Sequence, residues 1–367
     1  MTEQTPQSEV HAQRSPLVTF AVFTFNQEKF VHEAVCAAFA QTYVPMEIIL
    51  SDDSSCDRTF EILQTMASAY RGANHVIVRQ TKRNLGTLLH VAEVAEISRG
   101  KLIVLAAGDD ISKPHRTASL VQAWQISGAW GLCSRFDRID EAGRVIACDE
   151  TIPIFASPNY PLRQYFFCRQ AEVKIIHGAT SAYDKDLFKY LNPQPEDYIL
   201  SEDGALSVLL NLLDKKVMMV EEPLVCYREN EQSLTNGAKT GAFTFQRIRN
   251  DERSIERFAR SQANRCRLFL RLQAKYGAAS KTPLDTNRLY DELEKQTICA
   301  GWRQATISKK IRHLFQIRSV ADVKWYLPRM LPEPFFILIK TLIKASQQRL
   351  VALSKPEPMG DANDNNL

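Results

Sequence analysis

Three acidic pairs stand out along the chain: Asp52-Asp53, Asp109-Asp110 and Glu202-Asp203. Carboxylates crowded at one edge of a fold repel each other, and such a cluster persists where a cation or a hydrogen-bonding ligand compensates it. A hard divalent cation, Mg²⁺ or Mn²⁺, suits the first two pairs. Mg²⁺ binds through one or two carboxylates plus substrate phosphates rather than in an all-protein cage. The third pair suits proton transfer, because a carboxylate within hydrogen-bond reach can take the proton of a hydroxyl nucleophile. An acidic residue also caps a helix or complements its dipole, so for each pair taken alone both readings stand.

The elements that position these pairs alternate. Leu17 to Phe23 is an apolar run of the kind a buried parallel strand needs, closed by the polar turn Thr24-Phe25-Asn26-Gln27. Phe30, Ala34, Val35, Ala38 and Phe39 recur at helical spacing, and Glu47 to Ser51 predicts a second strand stopping at Asp52-Asp53. Thr59 to Tyr70 reads as helix, His75 to Arg79 as strand, Thr87 to Ser98 as helix, and Lys101 to Ala106 as a strand running into Gly108-Asp109-Asp110. This alternation predicts an α/β fold, a doubly wound, mostly parallel sheet flanked by helices. Ligands of such sheets bind beyond the carboxyl ends of the strands, so the first two pairs are expected to share one crevice. From about 126 to 240 the alternation weakens, with Trp130 to Ile139 strand-like, Glu202 to Leu213 helical and Lys216 to Tyr227 extended.

Taken together, Phe23-Thr24-Phe25-Asn26, Gln41-Thr42-Tyr43, Glu47-Ile48-Ile49, Ser51-Asp52-Asp53-Ser54-Ser55 with Asp57 and Thr59, Arg83-Asn84-Leu85-Gly86, and Gly108-Asp109-Asp110 with Pro114 occur in an order and spacing that resemble family 2 inverting glycosyltransferases of the GT-A fold. The resemblance covers about residues 16 to 240. It implies transfer of a sugar from a nucleoside-diphosphate sugar to a hydroxyl of a glycan or lipid-linked glycan precursor, in bacterial cell-envelope polysaccharide biosynthesis. It puts Phe25 and Asp53 on the nucleobase, with Thr24 and Asn26 in the same strand-end turn and Asn84 and Gly86 in a loop near the nucleotide. Asp109 would hold the ribose, and Asp109 with Asp110 the metal. Glu202-Asp203 resembles the motif in which the Asp is the general base, with Glu202 supporting it. His177-Gly178 sits where the family floors its acceptor site. Tyr227-Arg228, followed by Ser233, resembles the closing motif near the diphosphate, which would set Arg228 beside phosphate; a surface ion pair is the open alternative. The chain departs from the family pattern at Ala107, often acidic there, at Asn230, usually His, and at Phe25, frequently Tyr.

The implied domains are a disordered tail over 1–15, a nucleotide-sugar-binding half over 16–125, an acceptor-binding half over 126–240, a basic helical appendage over 241–355 and a second disordered tail over 356–367. Residues 325–350 interleave Trp325, Tyr326, Phe335 and Phe336 with Lys340, Lys344 and Arg349, the composition of an amphipathic helix at an anionic membrane surface or packed on a partner subunit. With 367 residues, 45% hydrophobic, the chain can bury a sizeable core. A net charge of +4 does not make nucleic acid the default partner. The eight cysteines form no zinc-ligand pattern. The absence of a signal-like start predicts a cytoplasmic protein, peripheral on the inner face of the plasma membrane where 325–350 binds. A nucleotidyltransferase would need a Gly-rich basic loop after the first strand, which Thr24-Phe25-Asn26-Gln27-Glu28 lacks. A nucleotide-sugar-binding scaffold without chemistry is the alternative that Ala107 and Asn230 admit.

Overall fold

A computed structural model of the chain describes residues 15–156, 167–168, 172–230, 245–302, 305–308 and 310–311. Strands β1 (Val18–Thr24), β2 (Met46–Asp52), β3 (His75–Gln80) and β4 (Leu102–Ala107) lie parallel in the order β3-β2-β1-β4. Helices α1 (Val31–Phe39), α2 (Thr59–Ala69) and α3 (Thr87–Ile97) connect them. Side chains of a strand alternate between faces, and both faces here are covered. Val18, Phe20 and Val22 join a cluster with Val35 and Leu63, whereas Ala21 joins Leu88 and Val91 on the other side. Burying a Val, Leu or Phe side chain contributes about 1.5–3 kcal/mol, so strands sandwiched in this way read as unbroken apolar runs. The register sets Thr24 beside Asp52 and Phe23 beside Ala107, which brings the strand ends carrying the first two acidic pairs to one edge.

The remaining elements are β5 (Ile111–Ser112), α4 (Arg116–Ser127), β6 (Gly131–Ile139), β7 (Val145–Glu150), β8 (Phe155–Ala156), β9 (Val173–Lys174), β10 (Ala182–Asp184), α5 (Glu202–Leu212) and β11 (Val217–Arg228). Among the described residues nine strands share one sheet, continuing β4-β10-β6-β11-β5 with β7 on β6. The sheet is parallel only in part. β10 runs antiparallel to both β4 and β6, while β11 runs parallel to β6. β10 is three residues long and is entered from a 3-10 turn at Gly178–Thr180, without the helical crossover a parallel strand requires. The whole is an α/β sheet flanked by helices, as the alternation predicts.

By contacts, the described residues up to Asn230 form one compact unit together with Asn264–Leu293, which include the second half of α6 (Phe245–Tyr276) and the start of α7 (Thr286–Gly301). Phe269, Leu272 and Leu289 belong to the buried cluster of that unit. In the second unit Ala259, Cys299 and Trp302 pack together. Among the described residues no helix is long and apolar enough to cross a membrane. The segment 325–350, Ser233 and both expected terminal tails lie outside the described residues, apart from Ser15.

Candidate active site

The turn after β1 is fastened to the turn after β2. Thr24 Oγ1 donates to Asp52 Oδ1 (3.0 Å), Asn26 N–H to Ser55 Oγ (2.8 Å) and Gln27 N–H to Thr59 Oγ1 (2.8 Å), while Asn26 Oδ1 accepts from Cys56 N–H (2.9 Å). Asn26 has φ 54°, a left-handed conformation that Asn tolerates. These bonds hold the backbone on either side of Phe25, a residue 40% exposed at the sheet edge. Asp53 is buried, and its carboxylate accepts from Thr81 Oγ1 (3.0 Å), Leu85 N–H (2.8 Å) and Gly86 N–H (3.0 Å). Burial pushes its pKa up against those three donors. Asp53 therefore fixes the 84–86 loop, with Asn84 Nδ2 on its carbonyl (3.4 Å). Gly86 has φ +76°, a region costly for other residues, and so turns the loop into α3.

At the end of β4, Asp109 is half-buried and Asp110 buried. Asn230 Nδ2 donates to Asp109 Oδ2 (2.9 Å), and Arg228 N–H to Asp110 Oδ1 (2.8 Å). Asp110 Oδ2 is buried with no hydrogen-bond partner among the described residues. Burial raises the pKa of Asp109; burial and then the neighbouring charge of Asp109 push Asp110 well above the ordinary carboxylate range. A carboxylate pair with one orphaned oxygen and excess negative charge fits a divalent cation held by two carboxylates and completed by substrate phosphate. No cluster of three or more metal-ligating side chains occurs among the described residues.

Arg228 is 1% exposed. Its guanidinium donates to Asp109 O (2.8 Å), Glu141 O (2.8 Å), Asp140 O (3.2 Å) and Glu33 Oε2 (2.7 Å). It is buried rather than at the surface, and it bolts β11 to the Asp109 loop. Arg116, which sequence reasoning passed over, is fully buried and donates to Ser112 Oγ (2.8 Å), Leu105 O (2.7 Å), Ala179 O (3.3 Å) and Ser181 O (3.3 Å). Burial lowers its pKa to about 10, with the charge of Asp110 acting against the shift. It ties the end of β4 to the 178–181 turn. The only sequence signal was an Arg two places after Pro114, downstream of an acidic pair.

That turn meets the third pair. Ser201 Oγ donates to Asp203 Oδ1 (2.7 Å), as does Gly204 N–H (2.7 Å). A Cβ placed on Gly178 would lie 2.9 Å from Glu202 Oε1 and 3.4 Å from Asp203 Oδ2, so the turn lies close against both carboxyls. Burial, and next the charge of Asp203, push Glu202 up to about 7. His177 packs with Phe136 (5.1 Å between centroids) and Tyr227 (5.8 Å). Its Nδ1 is buried without a partner among the described residues, and burial lowers its pKa, so it is held neutral beside Asp203. The arrangement offers a strand edge for a nucleotide, an acidic pair for a cation and, joined to them through Arg116, a carboxylate that can accept a proton.

The sequence profile described as glycosyl transferase family 2 matches residues 19–191, so Glu202, Asp203 and Arg228 lie beyond the matched stretch. The chain is 26% identical over 232 residues to the uncharacterized glycosyltransferase EpsJ of Bacillus subtilis (strain 168), covering 60% of this chain and 63% of that one. It is 36% identical over 88 residues to an uncharacterized protein of Mycobacterium tuberculosis (strain ATCC 25618 / H37Rv), covering 24% of this chain and spanning 25% of that relative's length. Among solved structures, that of GalNAc-T7 with UDP, GalNAc and Mn²⁺ has a TM-score of 0.52 at 13% identity, over 78% of this chain and 58% of that one, a likeness of fold.

Proposed function

We propose, from the match of residues 19–191 to glycosyl transferase family 2, that this chain moves a sugar from a nucleoside-diphosphate sugar to a hydroxyl of a glycan or lipid-linked glycan acceptor, with inversion. One observation carries the reading. Asp203 has Oδ1 held by Ser201 and Gly204 and Oδ2 turned toward Gly178, on a turn that Arg116 ties to the strand bearing Asp109 and Asp110.

In this reading the exposed face of Phe25 stacks on the nucleobase, while Asp53 acts by holding the 84–86 loop. Asp109, the less buried of its pair, faces the ribose and diphosphate. Asp109 and Asp110 would hold Mg²⁺ or Mn²⁺, which would neutralise charge on the departing diphosphate. Asp203 Oδ2 takes the proton of the acceptor hydroxyl as the new bond to the anomeric carbon forms. The bond from that carbon to the diphosphate oxygen breaks in the same displacement, the electron pair leaves with the diphosphate, and the configuration inverts. Neutral His177 and Gly178 line the approach of the acceptor.

A donor is found by screening nucleoside-diphosphate sugars for thermal stabilisation, which a ligand at 100 times its dissociation constant raises by about 2.7 kcal/mol. Asp203→Asn is then expected to lose about 10²- to 10⁴-fold in transfer rate with donor affinity unchanged, and the product anomer by NMR to be inverted. Wild-type transfer by the variant removes Asp203 as the base. A retained anomer overturns the single displacement.

A further inference from the structure

Residues 192–199, which lead toward α5, include Pro193 and Pro195 and belong to no helix or strand. Proline has no N–H to give to a ladder, so such a segment takes its position from donors on other elements. Here they come from two sides. On one side is the loop that Asp53 holds and the start of α3: Arg83 Nη2 donates to Pro195 O (3.3 Å), Leu88 N–H to Ile199 O (3.2 Å) and Thr87 Oγ1 to the same carbonyl (3.3 Å). A Cβ on Gly86 would stand 3.2 Å from the Tyr198 ring, so that ring is pressed on the backbone of the loop. On the other side is α6, whose residues from Asn264 onward belong to the same compact unit as the sheet. Asn264 Nδ2 donates to Glu196 O (2.8 Å) and Tyr198 O (3.3 Å). Arg271 pairs with Asp197, which is 1% exposed and also accepts from Gln194 N–H (2.8 Å). Seven residues are about two helical turns, so Asn264 and Arg271 meet the segment from one face of α6.

We propose that Asn264 and Arg271 are positioning residues for the nucleotide-sugar donor: by seating residues 196–198, α6 sets the Tyr198 ring against the 84–86 loop and so fixes the shape of the nucleotide edge. The inference rests on the reading of that loop as a donor contact, and it extends the site to a helix that lies past the stretch matched by the family profile. The burial of Asp197 makes the clamp strict. A buried carboxylate left without its counter-charge turns outward or takes up a proton, and either response loosens the turn at 194–197. The carbonyls freed by loss of Asn264 draw water between α6 and the segment instead. The two losses act through different atoms on one ring and one loop.

The test measures nucleotide binding and amide exchange in the full chain for Arg271→Gln, Asp197→Asn, their double variant, Asn264→Ala and Arg271→Lys. The probes are UDP, GDP, CDP, ADP and dTDP, each with Mn²⁺. For whichever of them wild type binds, Arg271→Gln, Asp197→Asn and Asn264→Ala should each weaken affinity about tenfold. The double variant should match the single ones, because both partners of one pair are gone. Arg271→Lys keeps the charge and should stay within about threefold of wild type. Exchange of the 85–88 amides should quicken about tenfold in the weakened variants, with that of β1 and β2 unchanged. With a transferable donor, KM should rise while kcat stays nearly constant. Asn264→Ala leaves the ion pair intact, so it reads the same segment should Arg271→Gln fail to fold. A merely structural role would lower the melting temperature and leave both the dissociation constant of the folded protein and the exchange of 85–88 at wild-type values, and that result overturns the proposal. If wild type binds none of the probes, the donor reading of the loop fails and this inference with it, whereas equal binding by wild type and variants overturns the inference alone.

Discussion

The charge on Glu202 should cost stability, and Glu202→Gln measures how much. The folded chain pushes this carboxyl from 4.5 to about 7 by burial and by the charge of Asp203. Each pH unit of displacement is about 1.4 kcal/mol, so the ionised form is disfavoured in the folded state by about 3 kcal/mol. The folded protein binds the proton more tightly than the unfolded chain, so the contribution is fully present below 4.5, declines as pH rises, and is gone above 7. Gln keeps the volume and cannot ionise. Relative to wild type, Glu202→Gln should therefore gain about 3 kcal/mol between pH 4.5 and pH 8.5, whatever constant offset the substitution brings. At roughly 2–4 °C per kcal/mol for a unit of this size, melting curves should separate by roughly 6–12 °C across that range. Thermal melts of both proteins at half-unit intervals, with urea titrations at the two ends, provide the measurement. Parallel curves would refute the reasoning, because a carboxyl that keeps its unfolded-state affinity for the proton cannot be the strained partner of a base.

Asp109→Asn should weaken nucleotide binding in the presence of Mg²⁺ or Mn²⁺ and leave binding in chelator nearly unchanged; equal affinity under both conditions would remove Asp109 from the cation site. His90 is buried with its Nε2 2.6 Å from Ser51 Oγ, and burial, then the charge of Arg79, lowers its pKa to about 3. Its stabilising contribution is present above 6.5 and is lost as pH falls, at about 1.4 kcal/mol per unit, so His90→Phe should flatten the acid side of the stability profile between pH 6.5 and 4.5. Truncation before Trp325 should abolish sedimentation with anionic liposomes while leaving neutral liposomes unbound by either form, and identical partitioning of the full and shortened chains would assign residues 325–350 to packing instead.

The first half of the fold was legible because its strands are buried on both faces and end in polar turns. Each of the four strands and three helices read from residues 17–106 overlaps an observed element to within a residue or two at nearly every boundary. Helix α4 escaped because its buried face is Arg116, Thr117, Leu120 and Val121, half of it polar, so no apolar period announces it. β5 and β10 are two and three residues long, below what alternation can reveal. The acidic pairs were legible as residue types at element ends. What surrounds them was not. Tyr227-Arg228 at a strand end says nothing of Glu33 on α1 or of the carbonyls of Asp140 and Glu141, which together enclose the guanidinium.

That enclosure bears on why the site should draw a cation. Two guanidiniums, Arg116 and Arg228, stand behind Asp109 and Asp110, both buried and both fixed by backbone carbonyls. Their charges act on the pair, yet Asp110 still titrates well above the ordinary range, because burial and the neighbouring Asp109 outweigh them. Neither arginine can swing outward, since doing so would strand buried carbonyls without donors, at about 1–3 kcal/mol each. Among the described residues the negative charge is therefore concentrated on Asp109, the less buried member, where a cation would meet it. A nucleoside diphosphate alone would add negative charge there, whereas a diphosphate accompanied by a divalent cation would remove it. If the chain binds both as proposed, the cation and the nucleotide are expected to bind with positive coupling, with the rigid arginines behind the pair making each depend on the other.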